Sequence, residues 1–254
     1  MSRFVITTIL AIVVSTFTGL LVPTPLSSWL VFAVAVAYLV MLGFGVASIR
    51  FNFFQPAFCH GSNDRQNIAI TFDDGPDNET TEMVLDILAE YDVPATFFCV
   101  GEKVRACPLI VRRMVENGHS LGNHSMHHHW YTNFLFGKRL ESEISAAQDS
   151  IVDAVGEAPK YFRPPMGLTN PHYKKILRSQ GLELIGWNVR SLDLNTTDPE
   201  KVIRRVVNRV DNGSIILLHD SGHEKDFLRV VLTRIIEQLS ERKFKFVSLD
   251  RLKG

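Results

Sequence analysis

The chain opens with two long apolar runs and then changes character. "FVITTILAIVVSTFTGLLV" (Phe4 to Val22) and "WLVFAVAVAYLVMLGFGVASI" (Trp29 to Ile49) contain no charged residue. Each is about as long as a helix must be to cross a hydrocarbon core roughly 30 Å thick. The turn between them, "PTPLSS", is short and uncharged. This pattern predicts a transmembrane helical hairpin over residues 1–50. A cleaved leader is the rival reading of the first run, but its basic start is only Arg3 and a second apolar run follows at once. A single crossing by the second run is a further alternative. Arg3 and Arg50 flank the two ends while the turn carries no charge, so the charge bias leans towards a cytoplasmic domain on a multi-pass plasma-membrane anchor.

From about Ile68 the periodicity switches. Short β-rich runs ("IAITF", "ATFFCV", "HSLGN", "YFRPP", "LELIGWNV", "SIILLHD", "KFKFVSL") alternate with stretches of helical period. Helices are predicted at about Thr80–Tyr91, Leu109–Asn117, Arg139–Val155, Pro171–Gln180, Pro199–Val210 and Asp226–Glu241. "NETTEM" supplies capping residues and early acids to the first, and "ENG" and "SQG" end two others on glycine. Such alternation predicts an α/β fold with a parallel sheet and crossover helices over 67–254. About seven strands suit an open or incomplete barrel better than an eightfold one. Residues 51–66, "FNFFQPAFCHGSNDRQ", read as a linker whose aromatics either line a membrane interface or pack on the domain.

Composition narrows the function classes. Twenty-seven basic residues balance 27 acidic ones, so no nucleic-acid partner is expected. Three cysteines without CxxC spacing argue against a disulfide framework or a structural zinc site, and Cys99 in "ATFFCV" reads as a buried apolar residue.

The unusual polar residues fall at predicted strand ends, where parallel α/β folds concentrate function. Asp73 and Asp74 sit side by side in "TFDDGP", and adjacent carboxylates need compensation. "HSMHHH" places four histidines in six positions, 124, 127, 128 and 129. His124 and His128, four apart, would share one face of a helical turn and present two imidazoles to one metal. Asp73 or Asp74 could add an oxygen ligand, and His127 and His129 compete for the histidine places. His119, at a helix end, reads as structural. Arg163 in "RPPMG" could neutralise the second aspartate. His219 in "SIILLHD" could act as an acid near neutral pH. Asp193 could orient it, with Asp220 as the rival partner on the opposite strand face.

Taken together, "TFDDGP", "HSMHH", "RPPMG", "WNVRSLD" and "LLH", in this order over about Ile68 to Leu249, resemble the polysaccharide deacetylase family, the NodB homology domain of carbohydrate esterase family 4. The resemblance implies a distorted (β/α) barrel with seven parallel strands. It implies Asp74, His124 and His128 as ligands of one divalent ion, zinc foremost, with cobalt, nickel or manganese as alternatives. Asp73 would be the general base, Arg163 its partner, and His219 the acid that protonates the leaving amine, tuned by Asp193. The Met166 backbone N–H would bind the oxyanion, Leu217 would line the acyl pocket, and Pro165 would stand with them on the substrate side. Many members carry tyrosine where this chain has Met166 and tryptophan where it has Leu194, so the walls of the groove differ. "GLTNP" (Gly167 to Pro171) is similar to membrane-associated subgroups.

The expected activity is therefore hydrolysis of the N-acyl, foremost N-acetyl, amide of an amino sugar. The sugar would belong to a bacterial cell-wall or surface polysaccharide or to a lipid-linked precursor at the bilayer. An O-acetyl esterase and a catalytically silent glycan- or lipid-binding relative are the alternatives. A silent binder would have no need for both base and acid.

Overall fold

The computed structural model describes residues 1–254. Two helices come first, α1 (Arg3–Leu21) and α2 (Leu26–Ala47). Both are long and apolar enough to cross a membrane, by length and composition. They pair antiparallel, with Thr8 and Tyr38 hydroxyls hydrogen-bonded at 2.8 Å. No residue of α1 is buried, and only Ser27 and Gly45 of α2 are. A core helix of a soluble protein would have its apolar side chains covered, which these do not.

The remaining elements alternate: β1 (Asn67–Asp73), α3 (Thr80–Glu90), β2 (Ala95–Cys99), α4 (Gly101–Ala106), α5 (Pro108–Glu116) and β3 (Ser120–Asn123). Then come α6 (Gly137–Val155), β4 (Tyr161–Phe162), α7 (Tyr173–Ser179), β5 (Glu183–Leu184) and β6 (Val189–Arg190). The chain closes with α8 (Pro199–Val207), β7 (Ile215–His219), α9 (Lys225–Glu241), β8 (Lys245–Phe246) and α10 (Leu249–Lys253). Seven strands form one series, β5-β4-β3-β2-β1-β7-β6, and β8 pairs with the start of β1. All pairings are parallel. The sheet curls into a half-barrel, the fold class the alternation predicts.

Strand periodicity sorts the side chains. In β1 and β7, Ile68, Ile70, Phe72, Ile216 and Leu218 face the helices and are completely buried in the main core. Burying each contributes roughly 1.5–3 kcal/mol. The alternate residues Thr71, Asp73, Leu217 and His219 face the barrel interior, and the register pairs Thr71 with Leu217 and Asp73 with His219. The helices seal the outside with apolar stripes. In α8, Val202, Ile203, Val206 and Val207 are buried, while Asp198 caps the start by accepting from the Glu200 N–H. Cys99 is completely buried in the main core.

Three local expectations change. "LELIGWNV" is not one strand: β5 ends at Leu184, and β6 begins only at Val189. In the gap, the Gly186 N–H donates to Phe58 O and its own carbonyl turns to Arg163. The segment 51–66 is no free linker. Phe53, Phe54 and Gln55 are buried, and Phe58 and Gly61 donate backbone hydrogen bonds to Leu184 and Gly213. Its aromatics divide: Phe53 and Phe54 pack against Phe4 of the hairpin, and Phe58 packs on the domain. Finally, residues 124–128 form no helical turn; they are a loop in which Ser125 and His128 have φ of 68° and 51°.

Candidate active site

Asp73 is the last residue of β1, on the interior face, and is buried. Its Oδ1 accepts from Arg163 Nη1 at 2.7 Å. Arg163 follows β4 and is completely buried. The same Nη1 donates to the Thr71 hydroxyl, Nη2 donates to Gly186 O at 2.9 Å, and the guanidinium lies 4.0 Å from the Phe98 ring centroid. The fork therefore satisfies both its charge and its donors inside the barrel, as a buried arginine requires. Asp73 Oδ2 remains on the cleft side, 3.8 Å from His124 Nε2.

Asp74 bends the chain away from β1 with φ of 74°. Its Oδ1 is buried and accepts no hydrogen bond. Two imidazole nitrogens converge on that oxygen, His128 Nε2 at 3.2 Å and His124 Nε2 at 3.4 Å. His124 Nδ1 meets the Arg163 carbonyl at 2.7 Å. A carbonyl only accepts, so Nδ1 carries the proton and the Nε2 lone pair points inward, as in a ligating histidine. Burial holds His128 down at about 4, which keeps it neutral. Burial pushes the Asp74 carboxyl up, but the imidazoles of His124, His128 and His219 outweigh it and hold it well below the usual range.

These three residues fit a divalent cation. Neighbouring donors around an ion with bonds of about 2.0–2.1 Å lie roughly 3.0–3.4 Å apart, which matches the spacing above. An unpaired buried carboxylate oxygen facing two neutral nitrogens is otherwise costly. His127 is not in this group, since its Nδ1 binds Glu143 at 2.7 Å. His129 stacks between His127 and Tyr131. His119 accepts from the Ala95 N–H at the far end of the sheet.

Across the cleft stands His219, at the end of β7. Its Nδ1 donates to Asp193 Oδ1 at 2.8 Å, and its Nε2 lies 4.0 Å from Asp74 Oδ2. Asp193 is buried and also accepts from Ser191 Oγ, the His219 N–H and His223 Nε2. Burial disfavours the imidazolium of His219, but the Asp193 hydrogen bond and charge, with Asp73 and Asp74 behind them, raise it to about 9. Asp220, the rival partner, points to the other face and accepts from the Thr81 hydroxyl at 2.6 Å. It packs under Gly75 so closely that a Cβ there would lie 2.0 Å from Asp220 Oδ2. Asp193 and Asp220 are separated by strand alternation, as expected.

The cleft holds about 150 Å³. Met166, Trp187, Leu192, Leu194 and Leu217 line it beside the polar residues. Pro165 does not line it; its carbonyl accepts from Asn133 Nδ2 instead. Asp74, His128, Met166 and Leu192 all have left-handed φ, the last two at 55° and 59°. Non-glycine residues held this way cost about 1–3 kcal/mol each and cluster where a site overrides local preference. Three contributors have no role among the expectations from the sequence. Thr71 is two residues before Asp73 on the same strand face, so strand period alone would have pointed to it. His223 and Lys103, whose Nζ donates to Asp74 O, carry no local signal.

A model of the family described as polysaccharide deacetylase matches residues 60–185. A peptidoglycan-N-acetylglucosamine deacetylase of Bacillus cereus is 34% identical over 192 residues, 75% of this chain and 89% of the relative. A chitooligosaccharide deacetylase of Sinorhizobium fredii is 34% identical over 197 residues, covering 73% and 91%. Among solved structures, the Bc1960 peptidoglycan N-acetylglucosamine deacetylase superposes with a TM-score of 0.72 at 31% identity. That match covers 78% of this chain and 92% of the other. Fold, cleft and relatives agree, and this chain belongs to the polysaccharide deacetylase family.

Proposed function

We propose that the protein is a membrane-anchored, metal-dependent deacetylase. It removes the acetyl group from the nitrogen of an amino sugar in a glycan held near the bilayer, either a wall or surface polymer or a lipid-linked precursor. The observation that carries this reading is the opposition of two equipped groups across one small cleft. Asp73 is fixed by Arg163 on one side, and His219 is fixed by Asp193 on the other. The ligand set Asp74, His124 and His128 lies between them.

An amide is a poor electrophile with a poor leaving group, so attack and departure both need help. A divalent ion held by Asp74, His124 and His128, foremost zinc, would acidify water and polarise the scissile carbonyl. Asp73 Oδ2 takes the proton from the attacking water as its oxygen bonds to the carbonyl carbon. Arg163 occupies Oδ1 and so aims the free oxygen. The Met166 N–H takes the developing oxyanion. Leu217 packs on the acetyl methyl, and Pro165 holds the Met166 turn in place through its bond to Asn133. His219 Nε2 gives its proton to the amine nitrogen as the C–N bond breaks, leaving acetate and a free amine. The hairpin tethers the domain to the bilayer.

His219 sets the alkaline limit. The group must be protonated to act, so kcat/KM should hold below its pKa and fall as pH rises through about 9. Asp193→Asn removes the charge that favours the imidazolium and should move that limb down by roughly 1–2 pH units. A pH profile of kcat/KM for both proteins checks this. An unmoved limb would remove His219 from the acid role. The reading as a whole is tested by amine release from N-acetylglucosamine oligomers and from a lipid-phosphate-linked N-acetylglucosamine, using detergent-purified full-length protein.

A further inference from the structure

The loop after His129 exposes an unusual amount of aromatic surface. Within residues 130–136, "WYTNFLF", Trp130 is 71% exposed, Phe134 65% and Phe136 69%, and no residue is charged. Lys138 and Arg139 follow at once, both exposed. The surface is not a loose end. Thr132 and Asn133 are buried beneath it. Asn133 donates to Pro165 O and accepts from the Tyr173 hydroxyl on its side chain, and its carbonyl accepts from Asn170 Nδ2 at 2.9 Å. The aromatic rings are thus held outward by a rigid base.

That base is tied to the hairpin. Thr169, the neighbour of Asn170, gives its N–H to Val46 O and its hydroxyl to Gly45 O, in the last turn of α2. The other hairpin end is fixed too, through the Phe4 N–H to Phe53 O and Arg3 Nη1 to Phe51 O. Thr169 and Asn170 are consecutive, so the anchor point of α2 and that of the aromatic loop are one Cα–Cα step, about 3.8 Å, apart. The loop that carries the exposed rings is thus bonded, through Asn170 and its neighbour Thr169, to the end of a helix whose 22 residues match a bilayer.

We propose that residues 130–136 form a bilayer-seated surface that holds the mouth of the cleft at headgroup level, so that the substrate is an amino sugar carried on a lipid. The inference rests on the deacetylase reading and on the hairpin lying in a membrane. The chemistry fits one occupant, the interfacial layer of a bilayer. Tryptophan and tyrosine favour that layer because one edge is polar, phenylalanine rings enter its apolar side, and flanking Lys138 and Arg139 meet anionic headgroups. The ligand His128 is two residues before Trp130, and the cleft wall Met166 is three before Thr169. Seating the loop therefore also seats the cleft at the lipid surface.

Full-length protein in phosphatidylethanolamine/phosphatidylglycerol vesicles with and without brominated phosphatidylcholine tests the seating. The difference between Trp29→Phe and Trp29→Phe/Trp130→Phe isolates Trp130, and the difference between wild type and Trp29→Phe isolates the hairpin. Quenching of both is expected. Quenching of Trp29 without Trp130 overturns the seating and leaves the anchor standing; quenching of neither removes both. For the substrate, Phe134→Ser/Phe136→Ser should lower turnover of a lipid-phosphate-linked N-acetylglucosamine in vesicles by about tenfold and leave chitotetraose within about twofold. Equal loss on both substrates, or no loss on the lipid-linked one, contradicts the proposal. Absence of any turnover by wild type would reject the deacetylase reading, while the quenching result stands on its own.

Discussion

Asp73→Asn is expected to lower kcat by roughly 10²–10⁴-fold, the usual contribution of a positioned general base. The asparagine keeps an oxygen for Arg163 Nη1, which sits 2.7 Å from Asp73 Oδ1, so the side chain stays aimed. It cannot take a proton from water. Asp74, His124 and His128 keep their mutual spacing, so zinc affinity should change little and substrate should still bind. Calorimetric zinc titration beside steady-state kinetics separates these effects. A variant that keeps near-normal kcat would take the base role away from Asp73.

The second large effect concerns stability. Arg163 is completely buried, and Asp73 is its only carboxylate partner within salt-bridge distance. Arg163→Met leaves that carboxylate buried without its counter-charge and empties the hydrogen bonds to Thr71 and Gly186. Breaking a buried pair in this way costs about 3–5 kcal/mol. Adding Asp73→Asn to Arg163→Met removes the stranded charge, so the double variant should regain part of that loss. It should not regain activity, because the base is gone. Urea unfolding of the two single variants and the double variant measures the coupling. Additive losses would mean that the pair is not coupled and that Arg163 serves only as packing against Phe98.

Which parts of this were legible in the sequence follows the range of the interactions. Alternating strand and helix periods encode the sheet locally, and the period of two places Asp73 with Thr71 and separates His219 from Asp220. The aspartate pair also marked itself, because adjacent carboxylates at a strand end demand compensation. The histidine loop did not. Spacing by four predicts a helical turn, yet Ser125 and His128 take left-handed φ, and convergence on Asp74 comes from the chain path after β3. The break in "LELIGWNV" was invisible because its cause is Phe58, far away in sequence, which takes the Gly186 N–H. His223 and the Asn133–Asn170 link depend likewise on tertiary contact alone. Residues 51–66 read as a linker because nothing in their own pattern shows the surface that they cover.

In the proposed function one cleft, loaded with a divalent ion by Asp74, His124 and His128, hydrolyses the N-acetyl group of an amino sugar. The most direct measurement is amine release by the full-length protein, first stripped with a chelator and then titrated with zinc, beside His124→Ala. No turnover is expected when stripped, with recovery that saturates near one zinc per chain and no recovery in His124→Ala. Turnover that persists in the stripped protein, or recovers equally in His124→Ala, would contradict that function.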